Sequence, residues 1–489
     1  MYSISIKMLK LYTSMFFDST ENILKEINKL QHKKKRTNST SCIPLIPLHQ
    51  AVETRNLEVV EALLDRGHDV NEMDHRYLTP LHIICSYPNK IGMKEVIVEK
   101  VKRDISSYEE RVISEAYYNN DINIFKMLLL DDDNNTMIND VHDTLDYDDA
   151  IDTKIIKLLL AYGADTNIKT LDKLKTALHY AAANKNYKLV EYLLIYGAEV
   201  NSSDIGNNTP MHKAVQHRNE DAVKILLQYG SNTDYMNSCG TTPLHISVGR
   251  LLNRNNCSIL KILLEHGTSV NIQSSILGFT ALHLSIHNED KLNLLLEYDA
   301  DPNILNFEKE TPLSMAVKIT RYEINIYKRL IYNICLRAFK YPSIKTTEGY
   351  IKNMTCINNY PKYKSIKDAC EYEIKNLESI KLSPKFSMAD FLKDDNSLIV
   401  DKIINNTLID HYYSFMDSFP IYGNIIKKSI DIAKDRYLLI QGAIRTMDNI
   451  TFPSRCVSWY DIPLEIKHNI LYFLDDKSLC NLIVAEHDT

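Results

Sequence analysis

The tetrapeptide T-P-M-H at 209–212 lies between T-A-L-H at 176–179 and T-P-L-H at 242–245, and successive copies start 33 residues apart. Further variants start at positions 46, 79, 280 and 311. Threonine is a favourable N-cap, and proline at the first helical position gives up no useful hydrogen bond. The spacing therefore predicts one short helix per repeat, each beginning at its own copy of the tetrapeptide.

A second amphipathic run follows most of the tetrapeptides. At 189–201 it is L-V-E-Y-L-L-I-Y-G-A-E-V-N, with apolar residues at helical spacing. Related runs occupy 59–71, 155–167, 222–234, 259–271 and 291–303. In five runs a glycine should close the helix in the left-handed conformation, and in the sixth Asp299 should give a strained or rebuilt cap. The five glycines are Gly67, Gly163, Gly197, Gly230 and Gly267.

The interval between the tetrapeptides at 79 and 176 is 97 residues, close to three periods of about 33. We therefore predict two degenerate repeats in this interval, near 111 and 142. The second is marked mainly by the apolar run Ile155–Leu160. With these two units, the sequence predicts about nine repeats over roughly 41–340.

These motifs resemble ankyrin repeats. The resemblance implies an all-α solenoid of stacked helix pairs with projecting hairpin tips, in which each unit buries its apolar face against its neighbours. We divide the chain into a helical and basic extension (1–40), ankyrin repeats (41–340), a helical connector (341–455) and a short C-terminal box (456–489). Helices are expected near 22–30, at 366–382 and at 429–447.

Composition excludes several classes of function. The 489 residues carry a formal net charge of −6, which disfavours nucleic acid as a partner. No run approaches 18 apolar residues, so we expect no membrane span, and the lysine-broken N-terminus is interpreted as mature protein. Nine cysteines without a C-x-x-C pair favour a reducing compartment. The connector lacks catalytic motifs, so neither an enzyme nor a cofactor is expected.

Six histidines occupy the fourth position of the tetrapeptide. They are His49, His82, His179, His212, His245 and His283. Their spacing is too long for the ligands of one metal ion, so a buried structural role is favoured. The alternative is metal ligation, for instance by His283 with His287. The acidic stretch 131–152 lacks the spacing of a calcium loop, and the basic run 33–36 is interpreted as a solvated linker instead of a nuclear-import patch.

The C-terminal end has a different pattern. Apolar residues at 462, 466, 470 and 474 follow helical spacing after the only tryptophan, Trp459, and a second short helix follows near 479–483. A small helical cap on the solenoid is one interpretation. The other comes from the pattern L-P-x-E-I-x-x-x-I-L-x-x-L, a break and L-x-x-L, which resembles the F-box.

The F-box resemblance implies docking on the Skp adaptor of host cullin-RING ubiquitin ligases. The residues that match or flank the pattern are Ile462, Pro463, Leu464, Glu465, Ile466, Ile470, Leu471, Leu474, Leu479 and Leu482. Because 26 residues follow Pro463, fewer than a full F-box has, we expect a shortened final helix. An ankyrin array with this ending resembles the poxvirus ankyrin proteins that end in a PRANC domain.

The combined resemblance implies a viral adaptor that holds an unidentified host protein on its repeats and recruits the Skp–cullin ligase through its box. It would act in the host cytoplasm, with the nucleus as an alternative. The competing hypothesis is a scaffold that sequesters an NF-κB-like signalling protein without ubiquitination. Predicted target-binding residues lie at hairpin tips. The alternative interpretation is that these tips are solvated turns without a partner. They are Asp74, Arg76, Tyr77, Asp204, Asn207, Asn208, Asn237 and Ser238.

Overall fold

The computed structural model divides the chain into two compact units, Met1–Ser285 and Ile286–Thr489, each described here by itself. The described residues are 20–25, 27, 47–86, 146–184, 186–249, 257–319, 324–383, 386–393, 413–449, 462, 467, 470–471 and 474–484. Among them, no helix combines the length and the apolar character needed to cross a lipid bilayer.

In the first unit, shorter and longer helices alternate along the described chain. They are α1 (Pro47–Glu53), α2 (Leu57–Asp65), α3 (Pro80–Ser86), α4 (Asp146–Ala161), α5 (Ala177–Ala183), α6 (Tyr187–Ile195), α7 (Pro210–Gln216), α8 (Glu220–Gln228), α9 (Pro243–Val248), α10 (Ser258–Glu265) and α11 (Ala281–Ser285). Before α1, residues 20–25 are helical, and the Thr20 hydroxyl donates a 2.8 Å hydrogen bond to Glu58.

Helix ends follow the sequence pattern. The shorter helices α5, α7 and α9 begin after a threonine in a capping box with the histidine three residues later. The longer helices α2, α6 and α8 have an asparagine N-cap whose side chain accepts a backbone N–H. All five predicted glycines have φ between 77° and 86°, which confirms the left-handed closure.

The interval 79–176 differs from the prediction of two additional units. Helix α3 packs directly against α5, and α4 packs against α2 and α6, so among the described residues no further helix pair separates them. His82 Nε2 bonds the Lys175 carbonyl at 3.1 Å across 93 residues, whereas His179 makes the same bond to Asn208 across 29 residues. The helix predicted at 155–160 is thus the second helix of the repeat that begins at 79.

Polar contacts hold the second half of this interrupted repeat in register. Arg55 and Asp152 form a two-bond ion pair of 2.6 and 3.2 Å, and both side chains are largely buried. The Asn71 side chain accepts from Asp165 N at 2.8 Å, as Asn167 accepts from Glu199 N in the next, uninterrupted repeat. The predicted unit near 111 lies outside the described residues, and the stack is continuous without it.

The second unit begins with more helix pairs and ends with a helical hairpin. Its elements are α12 (Glu289–Glu297), α13 (Pro312–Ile319), α14 (Ile324–Lys340), α15 (Glu348–Asn358), α16 (Pro361–Ser379), the antiparallel strands β1 (Lys381–Ser383) and β2 (Phe386–Ser387), α17 (Gly423–Asn449) and α18 (Asp476–Val484). Short 3-10 helices occupy Pro342–Thr346, Met388–Leu392 and Met416–Ser418. Helix α17 includes the segment predicted at 429–447. The helix predicted at 366–382 is present as α16 but ends at Ser379, and Lys381 and Leu382 belong to β1.

The stack extends beyond the predicted limit at 340. Helix α15 packs on α13 and α16 packs on α14, which continues the pairwise stacking without the tetrapeptide motif. Buried Asn353 joins the layers by bonding Thr311 at 2.5 Å and donating to the Pro302 carbonyl at 3.0 Å. A Cβ at Gly349 would lie 1.7 Å from the Asn303 carbonyl oxygen, so only glycine permits this close approach.

Candidate functional site

The repeat histidines interlock neighbouring turns. At the centre of the first unit, Thr209 N donates to His212 Nδ1 at 3.1 Å, and the Thr209 hydroxyl lies 2.9 Å from the same nitrogen. Because Nδ1 accepts, the imidazole proton is on Nε2, which donates to the Thr241 carbonyl of the next turn at 3.1 Å. His179 and His245 make the equivalent bonds to Asn208 and Phe279.

These histidines are structural and neutral. Burial lowers the pKa of His49, His179 and His212 to about 4, and the carbonyl hydrogen bonds only partly oppose this effect. His283 accepts from Thr280 N at 3.1 Å in the same way, so its Nδ1 is occupied within the repeat. The geometry accounts for the recurring threonine and histidine without a metal ion.

Most predicted tip residues build the turns. The buried Asp204 carboxylate accepts the backbone N–H of Gly206 and Asn208 at 2.8 Å and pairs with Lys213 at 3.0 Å. Asp74 binds Arg76 and Leu78 N in the same manner, and Asn237 accepts from Cys239 N and Thr241 N. These side chains shape the tips and have little capacity left for a partner.

Two other predicted tip residues point outward, and Asn208 joins two turns. Tyr77 and Asn207 occupy positive φ at the turn apex, and both are exposed. The Asn208 side chain accepts from Asn237 Nδ2 at 3.0 Å, and Ser238 N donates to the Gly206 carbonyl at 2.8 Å. Successive tips therefore lie side by side as a ladder.

Apolar side chains line this ladder, and the sequence analysis missed them. We call the set the apolar tip row; it consists of Leu171, Leu174, Ile205, Met236, Ile276 and Leu277. Ile205 is 66% exposed, and its backbone N–H donates to the Lys173 carbonyl at 2.9 Å, which brings it beside the preceding tip. Isolated large apolar residues within otherwise polar turns were the signal in the sequence. Contiguous exposed apolar groups are typical of protein-binding surfaces.

The C-terminal box divides its apolar residues between two faces. Leu471 and Leu479 are buried against Ile440, Ala443 and Ile444 of α17. Ile462 and Leu474 pack partly on the same cluster. Two of the predicted Skp-contacting residues thus fix the hairpin within the second unit, where they are not available to a partner.

Polar contacts reinforce this attachment. Lys467 Nζ lies 2.6 Å from Asp448, and Arg436 bonds both Asp476 and the Leu474 carbonyl. Ile470 is 45% exposed on the other side of the hairpin. Four predicted residues and the side chain of Leu482 lie outside the described residues; the four are Pro463, Leu464, Glu465 and Ile466.

Comparisons with known proteins match the repeats and the C-terminal region separately, and the C-terminal match begins within the segment predicted as connector. Models of ankyrin repeats (many copies) match 151–194 and 178–227, and models of ankyrin repeats (3 copies) match 48–140, 203–274 and 250–338. The PRANC domain model matches 384–484. The fowlpox virus ankyrin repeat protein FPV232 is 86% identical over 99% of this chain and its own full length. The chain belongs to the poxvirus ankyrin-repeat proteins that carry a C-terminal PRANC domain.

Further similarities are more distant. The fowlpox virus ankyrin repeat protein FPV233 is 30% identical over 96% of both chains. The solved ankyrin repeat domain of Bcl-3 is 22% identical, covers 38% of this chain and 81% of its own length, and has a TM-score of 0.34. The PRANC match begins before α17, so this helix and the box hairpin that packs on it lie within one PRANC domain.

Proposed function

We propose that this PRANC protein is a viral adaptor that binds a host protein through its repeats and recruits a host Skp–cullin–F-box ubiquitin ligase through its box. Tethering the two would raise their effective concentration, and the ligase would then transfer ubiquitin to the bound protein. The chain itself would supply binding surfaces and no catalytic group.

The exposure of Ile470 is the observation that carries the proposal. Leu471 and Leu479 anchor the hairpin on α17, while Ile470 faces away and is 45% exposed. An exposed apolar side chain next to a buried anchor is suited to insertion into a partner's apolar pocket. Among the predicted Skp-contacting residues that the structure describes, we propose that Ile470 contacts the adaptor.

For the host target, we propose the apolar tip row in place of the predicted Asp74, Asp204 and Asn237. The carboxylates of these turns are buried and hydrogen-bonded, whereas Ile205 and Ile276 are 66% and 61% exposed. Burial of each large apolar side chain at an interface contributes about 1.5–3 kcal/mol before association costs. The Tyr77 side chain, at another tip, is also exposed.

The decisive experiment exchanges one isoleucine for aspartate. Ile470→Asp should abolish co-purification of the Skp adaptor and cullin from host cells and leave proteins bound by the repeats in place. Ile432→Asp is the matched control, because Ile432 is also exposed, on α17, and receives the same charge. Recovery of the ligase should be unchanged with that control.

Proteins recovered with wild type and with Ile470→Asp should then be followed in infected cells. The adaptor hypothesis expects their proteasome-dependent loss with wild type and constant levels with Ile470→Asp. Equal ligase recovery by wild type and Ile470→Asp would refute recruitment through the box. Constant target levels in both would favour sequestration. We place the activity in the host cytoplasm or nucleus, and the free thiols of the described cysteines fit such a reducing compartment.

A further inference from the structure

Basic side chains concentrate at two neighbouring turns of the first unit. The turns and shorter helices at 168–184 and 201–219 contain five described lysines or arginines and two aspartates, a local charge of +3 in a chain of net charge −6. The following segments, 235–249 and 271–286, contain no charged residue. The apolar tip row therefore runs from a basic end to an uncharged end.

Three lysines form the basic end, and we call them the basic tip cluster: Lys173, Lys175 and Lys213. Lys173 is exposed beside Leu174, and its carbonyl accepts the 2.9 Å bond from Ile205 N. Lys175 lies 5.1 Å from the centre of the Tyr180 ring. The cluster thus borders the apolar tip row at the point where two tips meet.

The local carboxylates do not cancel this charge. Asp204 is buried, and two backbone N–H groups as well as Lys213 share its oxygens. Burial and the charges of Lys213 and Lys173 lower the pKa of Lys175, and the opposing effects of Asp204 and Asp172 are smaller. Mutual repulsion among the lysines would be relieved by an anionic partner.

We propose that the host target docks through an acidic segment that also carries apolar residues, with its carboxylates on the basic tip cluster and its apolar residues along the row toward Ile276. This inference rests on the proposed target-binding role of the repeats. Opposite charges fix the register and direction of the segment, and apolar burial supplies most of the affinity.

A protein segment fits this surface better than nucleic acid. The positive charge is limited to two turns, whereas nucleic-acid sites distribute phosphate contacts along a long basic track. The row continues over Met236 and Ile276, where no charged residue lies to hold further phosphates. Aliphatic residues at these tips also lack the flat rings on which bases stack.

The test is a random-peptide display selection on the full-length wild-type protein. Enriched peptides should be net acidic and carry apolar residues on one side of the acidic cluster. Their affinity should fall about tenfold or more in a Lys173→Glu/Lys175→Gln variant and weaken as salt is raised. Lys188→Glu, an exposed charge reversal on α6, is the control and should change affinity less than about twofold.

Circular dichroism of the variants verifies that the repeats remain folded. A neutral or basic consensus, no enrichment over the double variant, or binding insensitive to salt would each overturn the proposal. Equal, lysine-dependent binding of single-stranded polyuridine would overturn it in favour of nucleic acid. Peptide binding should be the same with Ile470→Asp, so failure of ligase recruitment and failure of this inference are separate results.

Discussion

The central repeats and the PRANC hairpin are both helical, but their attachments to neighbouring elements differ. Between repeats, buried polar groups such as His212 reach across to a backbone carbonyl, here that of Thr241. In the PRANC domain, the hairpin is held by Leu471 and Leu479 in an apolar cluster, with ion pairs around it. A polar interlock therefore fixes the identity of a residue, whereas an apolar contact fixes only its size and hydrophobicity.

Acidification should produce the largest contrast between the two regions. The folded pKa of about 4 for His49, His179 and His212 lies below the unfolded value of about 6.5, so folding favours neutral imidazole. This stability is complete above about pH 6.5 and is lost as the pH falls toward 4. Between pH 7 and 5 the loss is on the order of 2 kcal/mol per histidine.

Hydrogen–deuterium exchange with mass spectrometry at pH 7 and 5, corrected for intrinsic exchange, measures this effect by region. Protection should fall strongly in peptides from α5 to α8 and much less in peptides from α17. A His212→Gln variant removes one titrating group, so its stability should depend less steeply on pH, although it is less stable at pH 7. A uniform loss of protection in both regions would contradict the assignment to the repeat histidines.

An alanine at Leu479 should affect only the PRANC domain. Its side chain is fully buried among Ile440, Ala443 and Ile444, so Leu479→Ala should cost about 2–4 kcal/mol through lost burial and a cavity. Exchange in α17 and α18 should accelerate, while that in α5 to α8 stays unchanged. Ile470→Ala, on the exposed side of the hairpin, should cost less than about 1 kcal/mol.

The contrast also explains what the sequence reveals in advance. The repeat motif predicts how each helix pair packs on the next one along the chain. Thr209, His212 and Gly230 each satisfy a specific backbone requirement, and these residue types recur with a fixed period. The apolar pattern of the box predicts a hairpin but leaves open which face packs on α17. Leu471 and Ile470 are adjacent and alike in character, and only the fold distinguishes the buried one from the exposed one.

Two features escaped sequence analysis for a related reason. The interval between 79 and 176 is close to a multiple of the period, so length alone favours additional repeats, whereas the His82–Lys175 bond joins its ends directly. Helices α15 and α16 lack the tetrapeptide, and α15 instead contacts the preceding layer through Asn353 and Gly349. Sequence periodicity therefore detects repeats whose helices are joined by the same residues. It misses repeats that have the same helix packing but use different residues to join neighbouring layers.

The smallest predicted effect concerns the C-terminal caps of two helices. Substitution should destabilise the protein at Gly197, whereas substitution at Asp299 should be neutral or slightly stabilising. Gly197 has φ of 86°, so Gly197→Ala should cost about 1 kcal/mol. Asp299 takes the same place after α12 with φ of 62°, and its carboxylate pairs with Arg337. Because the Asp299 carboxylate is solvent-exposed, its ion pair should contribute at most about 1 kcal/mol, so Asp299→Gly should leave stability unchanged or raise it by about 0.5 kcal/mol.

Urea denaturation of the three proteins, with Asp299→Asn as a fourth, separates the cap from the ion pair. Asparagine tolerates the left-handed conformation but lacks the charge, so Asp299→Asn reports the loss of the Arg337 pair alone. If Asp299→Gly is more stable than Asp299→Asn, relief of backbone strain exceeds what the glycine loses in chain entropy. If it is less stable, the aspartate is an adequate cap, and the absence of glycine from the sixth run carries no energetic penalty.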